Sequence, residues 1–205
     1  MDEVYSILLE AIGEPMLRQE VPPSSISRYD GILPDQLLQF WAEHGWCGYG
    51  EGILWMVNPQ EYENVLASWM QSSALEMTDT YHVIARSAFG DLYLWGEKSG
   101  PSLCIFCNVS RYTYDPAERS PHAMNRAFRS FLLSFDQAYL DFNELFDSAK
   151  EKLGVLRPDE MYGFVPALQL GGPASTEIIE KVKTIEHLMF LSQLDVLRQY
   201  TLSDF

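Results

Sequence analysis

The chain has 205 residues, 47% of them hydrophobic and 21% charged, which fits a folded protein with a real core and excludes a disordered one. Its 29 Asp and Glu against 14 Lys and Arg leave a net charge of −15, which argues against nucleic acid and anionic membranes as partners and fits either solubility or attraction of basic proteins. The excess is uneven: residues 1–105 hold 15 acids and 4 cations, and residues 106–205 hold 14 and 10.

In chain order, Val4, Ile7, Leu8 and Ile12 carry a helical spacing that ends near Gly13 and Pro15. The opening MDEVYSILLE begins with two acids after Met1 and has no basic region or cleavage site, so a cytoplasmic location is expected. A Pro/Ser loop follows, then a helix opening at Leu33-Pro34-Asp35, with Leu37, Phe40 and Trp41 on one face and Gly45 as its stop. The run WCGYGEG (46–52) reads as a flexible glycine turn, and GILWMVNP after it as a strand closed by Asn58-Pro59. Tyr62, Val65, Leu66 and Trp69 predict another helix. HVIARSAF (82–89) and DLYLWGE (91–97) predict a hairpin turning at Phe89-Gly90-Asp91, and SLCIFCNV and RYTYDP extend the sheet. From Asn125 the pattern is helical over NRAFRSFLLSFDQAYLD and FNELFDSAKEKLG. RPDEMYGFVPALQLGGPAS reads as a loop, and TEIIEKVKTIEHLMFLSQLDVL as one long final helix. No tract approaches the roughly 20 apolar residues that span a bilayer.

Strands first and helices after argue for an α+β fold. The expected division is a mostly antiparallel, helix-flanked sheet over 1–118 and a smaller all-helical domain over 119–205, with the boundary in the polar linker between 110 and 125.

No catalytic constellation is evident. His44, His82, His122 and His187 match no metal-ligand spacing, and no P-loop, nucleophile elbow or dinucleotide motif occurs. His44 and Cys47 straddle a helix end and lack an orienting third group. Cys104 and Cys107 form a C-x-x-C, but on a strand these positions face opposite ways and no second pair completes a zinc site. The glycine run holds Glu51 and no cation, so it does not suit a phosphate. Trp41, Trp55, Trp69 and Trp95 fall in apolar patterns and read as core. No catalytic residue, metal or cofactor is expected.

Two sets of residues carry a family resemblance. LPDQLLQFWAEHGW (33–46), WMVNPQEY (55–62) and HVIARSAFGDLYLWGEKSG (82–100) resemble the GAD-like domain of bacterial toxin-immunity proteins. LGVLRPDEMYGFVPALQLGG (153–172) and the segment after it resemble the domain that follows a GAD-like domain in immunity proteins paired with type VI secretion DNase effectors. The resemblance spans roughly residues 5–195 in the matching order. It implies a non-enzymatic antidote that binds one cognate nuclease toxin in a tight 1:1 complex. It also implies that Glu160, Tyr162, Gly163, Phe164, Pro166, Gly171 and Gly172 are family motif residues with a mainly structural role. Expected toxin-binding residues are the acids Glu43, Glu51, Glu61, Glu63 and Asp91, converging at one end of the sheet, with Trp46 and Tyr49 as exposed anchors in the glycine turn. Two other classes stay open: an adaptor or chaperone for a basic client, and an enzyme using scattered carboxylates.

Overall fold

Hydrophobic phase and capping account for most of the elements. The computed structural model describes residues 2–71, 73, 79–115 and 119–201. Helix α1 (Asp2–Ile12) buries Leu8 and Ile12 and leaves Ile7 exposed. Strand β1 (Pro15–Gln19) follows, and the expected Pro/Ser loop contains a short helix α2 (Pro23–Tyr29) with proline at its start. Helix α3 (Asp35–His44) buries Leu37, Leu38, Phe40 and Trp41, and Gly45 ends it at φ +76° with its N–H on the Trp41 carbonyl.

The glycine run is a strand. β2 (Trp46–Tyr49) precedes a 3-10 turn at Gly50–Gly52, then come β3 (Leu54–Met56), α4 (Glu63–Gln71), β4 (Tyr81–Ser87), β5 (Leu92–Gly96), β6 (Gly100–Phe106) and β7 (Arg111–Tyr114). These seven strands pair antiparallel in sequence order, a meander. Gly90, at φ +87°, turns the expected hairpin between β4 and β5. Residues 116–118, inside the expected linker, lie outside the described residues.

The remaining elements are α5 (Pro121–Leu133), α6 (Gln137–Leu140), α7 (Phe146–Leu153), β8 (Glu160–Phe164), β9 (Ile179–Lys183), α8 (Thr184–Leu191) and β10 (Arg198–Gln199). The fold is α+β, with a large, mostly antiparallel sheet flanked by helices. The all-helical expectation for the second half needs correction. β8 and β9 form an antiparallel ribbon where a loop and the start of a long helix were expected, and β10 joins the main sheet parallel to β7. The helix expected from residue 176 is confined to α8.

Sidedness follows from register. Arg86 faces Leu92 across β4 and β5, so both share a face, and Arg86 reaches the carbonyls of Pro158 and Glu160 there at 2.9 and 2.8 Å. Tyr93, on the other face, meets Phe131 and Phe135, at and just beyond the end of α5. The second half therefore wraps the sheet, with α5 on one face and the ribbon on the other. Strands covered on both faces have no reason to alternate, and β2, β3 and β4 are buried almost throughout. One apolar core runs through both halves of the chain, from Leu8 to Leu197.

Candidate functional site

The expected site residues fall into three groups. Glu43, Glu51, Glu61 and Glu63 are exposed acids. Glu43 accepts from Gln39 Nε2 at 2.7 Å, and Glu63 pairs with Arg28 at 2.8 Å. They do not converge at one end. Glu43 precedes β2 and Glu51 follows it, and β3 returns antiparallel. Glu61 and Glu63, which come after β3, thus lie at the Glu43 end, while Glu51 lies at the opposite end with the β4–β5 turn.

Trp46 and Tyr49 are not exposed anchors; they are 6% and 0% exposed. The reason is local. β2 is held between β1 and β3, and the glycines in it and just after it make room for neighbouring groups rather than flexibility. A Cβ on Gly48 would lie 3.1 Å from the Trp55 ring, and one on Gly50 would lie 2.2 Å from the Ile12 carbonyl. Trp46 packs edge-on against Trp41, and Tyr49 against Tyr5.

Asp91 is likewise no surface acid. Burial pushes its carboxyl up to about 7, partly opposed by the hydrogen bond from Ser87 Oγ at 3.2 Å, and among the described residues Asp91 Oδ1 has no hydrogen-bond partner. The Cys104 and Cys107 thiols are pushed well above their usual value by burial and then by the nearby Asp91 charge. Both are free thiols, as is Cys47.

The motif residues of the second half build the ribbon. Glu160 accepts the Arg157 N–H at 3.0 Å, and the buried Tyr162 donates its hydroxyl to the Gly154 carbonyl at 2.9 Å. Burial raises the Tyr162 phenol to about 12. Phe164 stacks on Phe89, with ring centroids 6.0 Å apart. Gly163 leaves space for His187: a Cβ there would sit 2.8 Å from His187 Nε2. Pro166 follows a cis peptide bond, Gly171 ends a 3-10 turn at φ +86°, and Gly172 packs against the Pro166 carbonyl. Tyr162 and Phe164 thus fasten the ribbon to the sheet and present no outer surface.

Sequence reasoning missed Arg86, whose signal was a lone cation in the apolar run HVIARSAF. It is fully buried, with its guanidinium 5.1 Å over the Trp55 ring and bonded to the carbonyls of Ser87, Pro158 and Glu160. Among the described residues no carboxylate lies within ion-pair distance of it.

Many other cations are also engaged inside the molecule. Arg18 donates to the His44 carbonyl, Arg119 to that of Ser99, and Lys152 to those of Thr176, Glu177 and Ile179. Lys181 holds the Val155 carbonyl, and Lys183 pairs with Asp159.

A cleft of about 570 Å³ opens where the first half meets α6 and α7. Its apolar lining is the half-buried Met16 over the buried Ile12, Ile53 and Phe146, and Glu14, Glu51, Asp141 and Asp147 stand around it. Lys150 crosses it, 2.7 Å from Glu51 and 2.8 Å from Asp147. Those two carboxylates pull the Lys150 ammonium upward in pKa, Asp147 most.

The four histidines sit on separate elements: His44 on α3, His82 on β4, His122 on α5 and His187 on α8. His44 stacks on Tyr5, and His82 lies 3.0 Å from Glu97. Among the described residues no group of three or more His, Cys, Asp or Glu is placed to hold a metal ion, and no helix is long and apolar enough to cross a membrane.

The fold is similar to the crystal structure of Atu4351 from Agrobacterium tumefaciens, with a TM-score of 0.81 at 20% identity over 92% of this chain and 88% of that one. No curated protein matches the chain. Residues 125–195 match the family model described as T6SS immunity protein Tdi1, C-terminal, which supports an immunity role and implies a cognate effector as partner. Residues 3–109 match the GAD-like domain model, and since that match covers more than half of the sequence, the chain belongs to the GAD-like domain family.

Proposed function

We propose that this protein is a cytoplasmic immunity protein that neutralises a nuclease effector of a type VI secretion system by binding it, without catalysis, as a 1:1 complex. The observation that carries this reading is the match of residues 125–195 to an immunity-protein domain. The surface supports it. A nuclease meets phosphate with a basic face, and a chain of net charge −15 competes electrostatically for such a face. Charge accelerates encounter, while residence time needs an apolar or pocket contact as well.

The test is co-expression of the full chain with the toxin domain encoded beside it. Survival of the host and co-purification at equal stoichiometry are expected. The association rate should fall about tenfold or more between low and high salt, with a smaller change in dissociation. Lethality at good expression of both partners, with no complex recovered, would refute the antidote reading.

A further inference from the structure

Resting on the effector-binding reading above, we infer that the cleft between β1 and α7 is the docking site, and that its occupant is a protruding segment of the effector carrying a lysine or arginine beside an apolar side chain. Three features of the molecule lead there.

The first is the chemistry of the lining. Met16 supplies half-exposed hydrocarbon above the buried Ile12, Ile53 and Phe146, and the rim is carboxylate. The cleft already holds one ammonium group, that of Lys150, between Glu51 and Asp147. Among the described residues, Glu14 and Asp141 have no ion-pair partner; the Asp141 carboxylate accepts only the Phe146 N–H, at 2.7 Å. A second cation therefore finds unneutralised carboxylates beside apolar surface that its own aliphatic stem covers. Complementary charge selects a basic protein over a second copy of this acidic chain, because two copies would bring carboxylates together.

The second is position. β1 is the edge strand of the eight-stranded sheet, and its exposed Leu17 stands next to Met16 of the lining. Apolar contact is thus available from Met16 in the cleft and Leu17 on its lip, next to the carboxylates, the combination a slow-dissociating complex needs. The opposite end of β2, where Glu43, Glu61 and Glu63 lie, offers exposed carboxylates, and Glu63 already pairs with Arg28.

The third is shape. Among the described residues, six non-glycine positions have left-handed backbone, and Leu17, Glu51, Phe142, Asn143 and Glu144 all sit on segments that border this cleft. Left-handed non-glycine backbone persists where the surrounding structure enforces it, so the mouth is preformed and little ordering remains for binding.

The experiment compares two double variants with the same change of charge, each co-purified with the effector domain encoded beside this chain. Glu14→Lys/Glu51→Lys alters the cleft, and Glu61→Lys/Glu63→Lys alters the other end of the sheet. All four positions are exposed, and melting temperatures within a few degrees of wild type confirm that both variants fold. The cleft variant is expected to weaken the complex by about 100-fold or more, mainly through faster dissociation, and the other to slow association only a few-fold. Equal weakening by both variants would reduce the effect to net charge and overturn the docking site while leaving effector binding intact. Greater weakening by the Glu61/Glu63 variant would place docking at the other end. A wild-type chain that is dimeric alone, and that the cleft variant turns monomeric, would identify a second copy as the occupant and overturn the proposal. Failure of the wild-type chain to bind the effector at all would remove the effector-binding reading and the docking site with it.

Discussion

A carboxyl group sealed from water and given only one hydroxyl partner favours its neutral form, and Asp91 is in that position. Its carboxyl titrates near 7 in the folded chain, against about 3.9 in an unfolded one. Between those values the folded state binds the extra proton, so stability falls as pH rises from about 4 to 7 and levels off above. The full span is worth up to about 4 kcal/mol. Asp91→Asn, which cannot ionise, should remove the slope: melting temperatures measured from pH 4.5 to 8 should decline for wild type and stay flatter for the variant. Parallel profiles would show that Asp91 does not carry the effect. At this scale the sequence was legible where helical phase exposes a residue, as at Glu43 and Glu63. It was not legible at Trp46 and Tyr49, because glycines that admit a neighbouring ring look the same in sequence as glycines that free a loop.

Arg86 decides how the second half is fastened. It supplies hydrogen bonds to the carbonyls of Pro158 and Glu160, where the chain enters β8, and its own charge is met by Trp55 and those carbonyls rather than by a carboxylate. Replacement by an apolar residue relieves the cost of burying a cation, but it strands those carbonyls, and the second effect should win by about 2–4 kcal/mol. Hydrogen exchange on Arg86→Met should accordingly speed up over residues 157–164 well before it does in α5. Uniform acceleration would make Arg86 a general core residue instead. The same tertiary anchoring explains why the β8–β9 ribbon escaped sequence reading. Ile178, Ile179, Val182 and Ile185 do carry helical spacing, yet pairing with a strand pinned to Arg86 and Phe89 overrides it.

For the whole molecule, the α+β class was legible because strand patterns dominate the first half and helical ones the second. The sharing of one core was not, since nothing in local pattern says that α5 will cover Trp95 while the ribbon covers Phe89. A fragment ending at residue 118 would uncover both faces of the sheet and lose β10. It should therefore fail to unfold cooperatively when expressed alone, as followed by circular dichroism and thermal melting. A sharp transition near that of the full chain would mean that the first half is self-sufficient.

An antidote is useful only while it stands in excess over its toxin, and a crowded store of any open sheet risks strands of one copy adding to the edge of another. Here that hazard is reduced at both margins. β1 is five residues long, starts with proline and breaks register between Met16 and Gln19, and β10 contributes only two residues. With repulsion among chains of net charge −15, these blunt margins favour copies that stay apart.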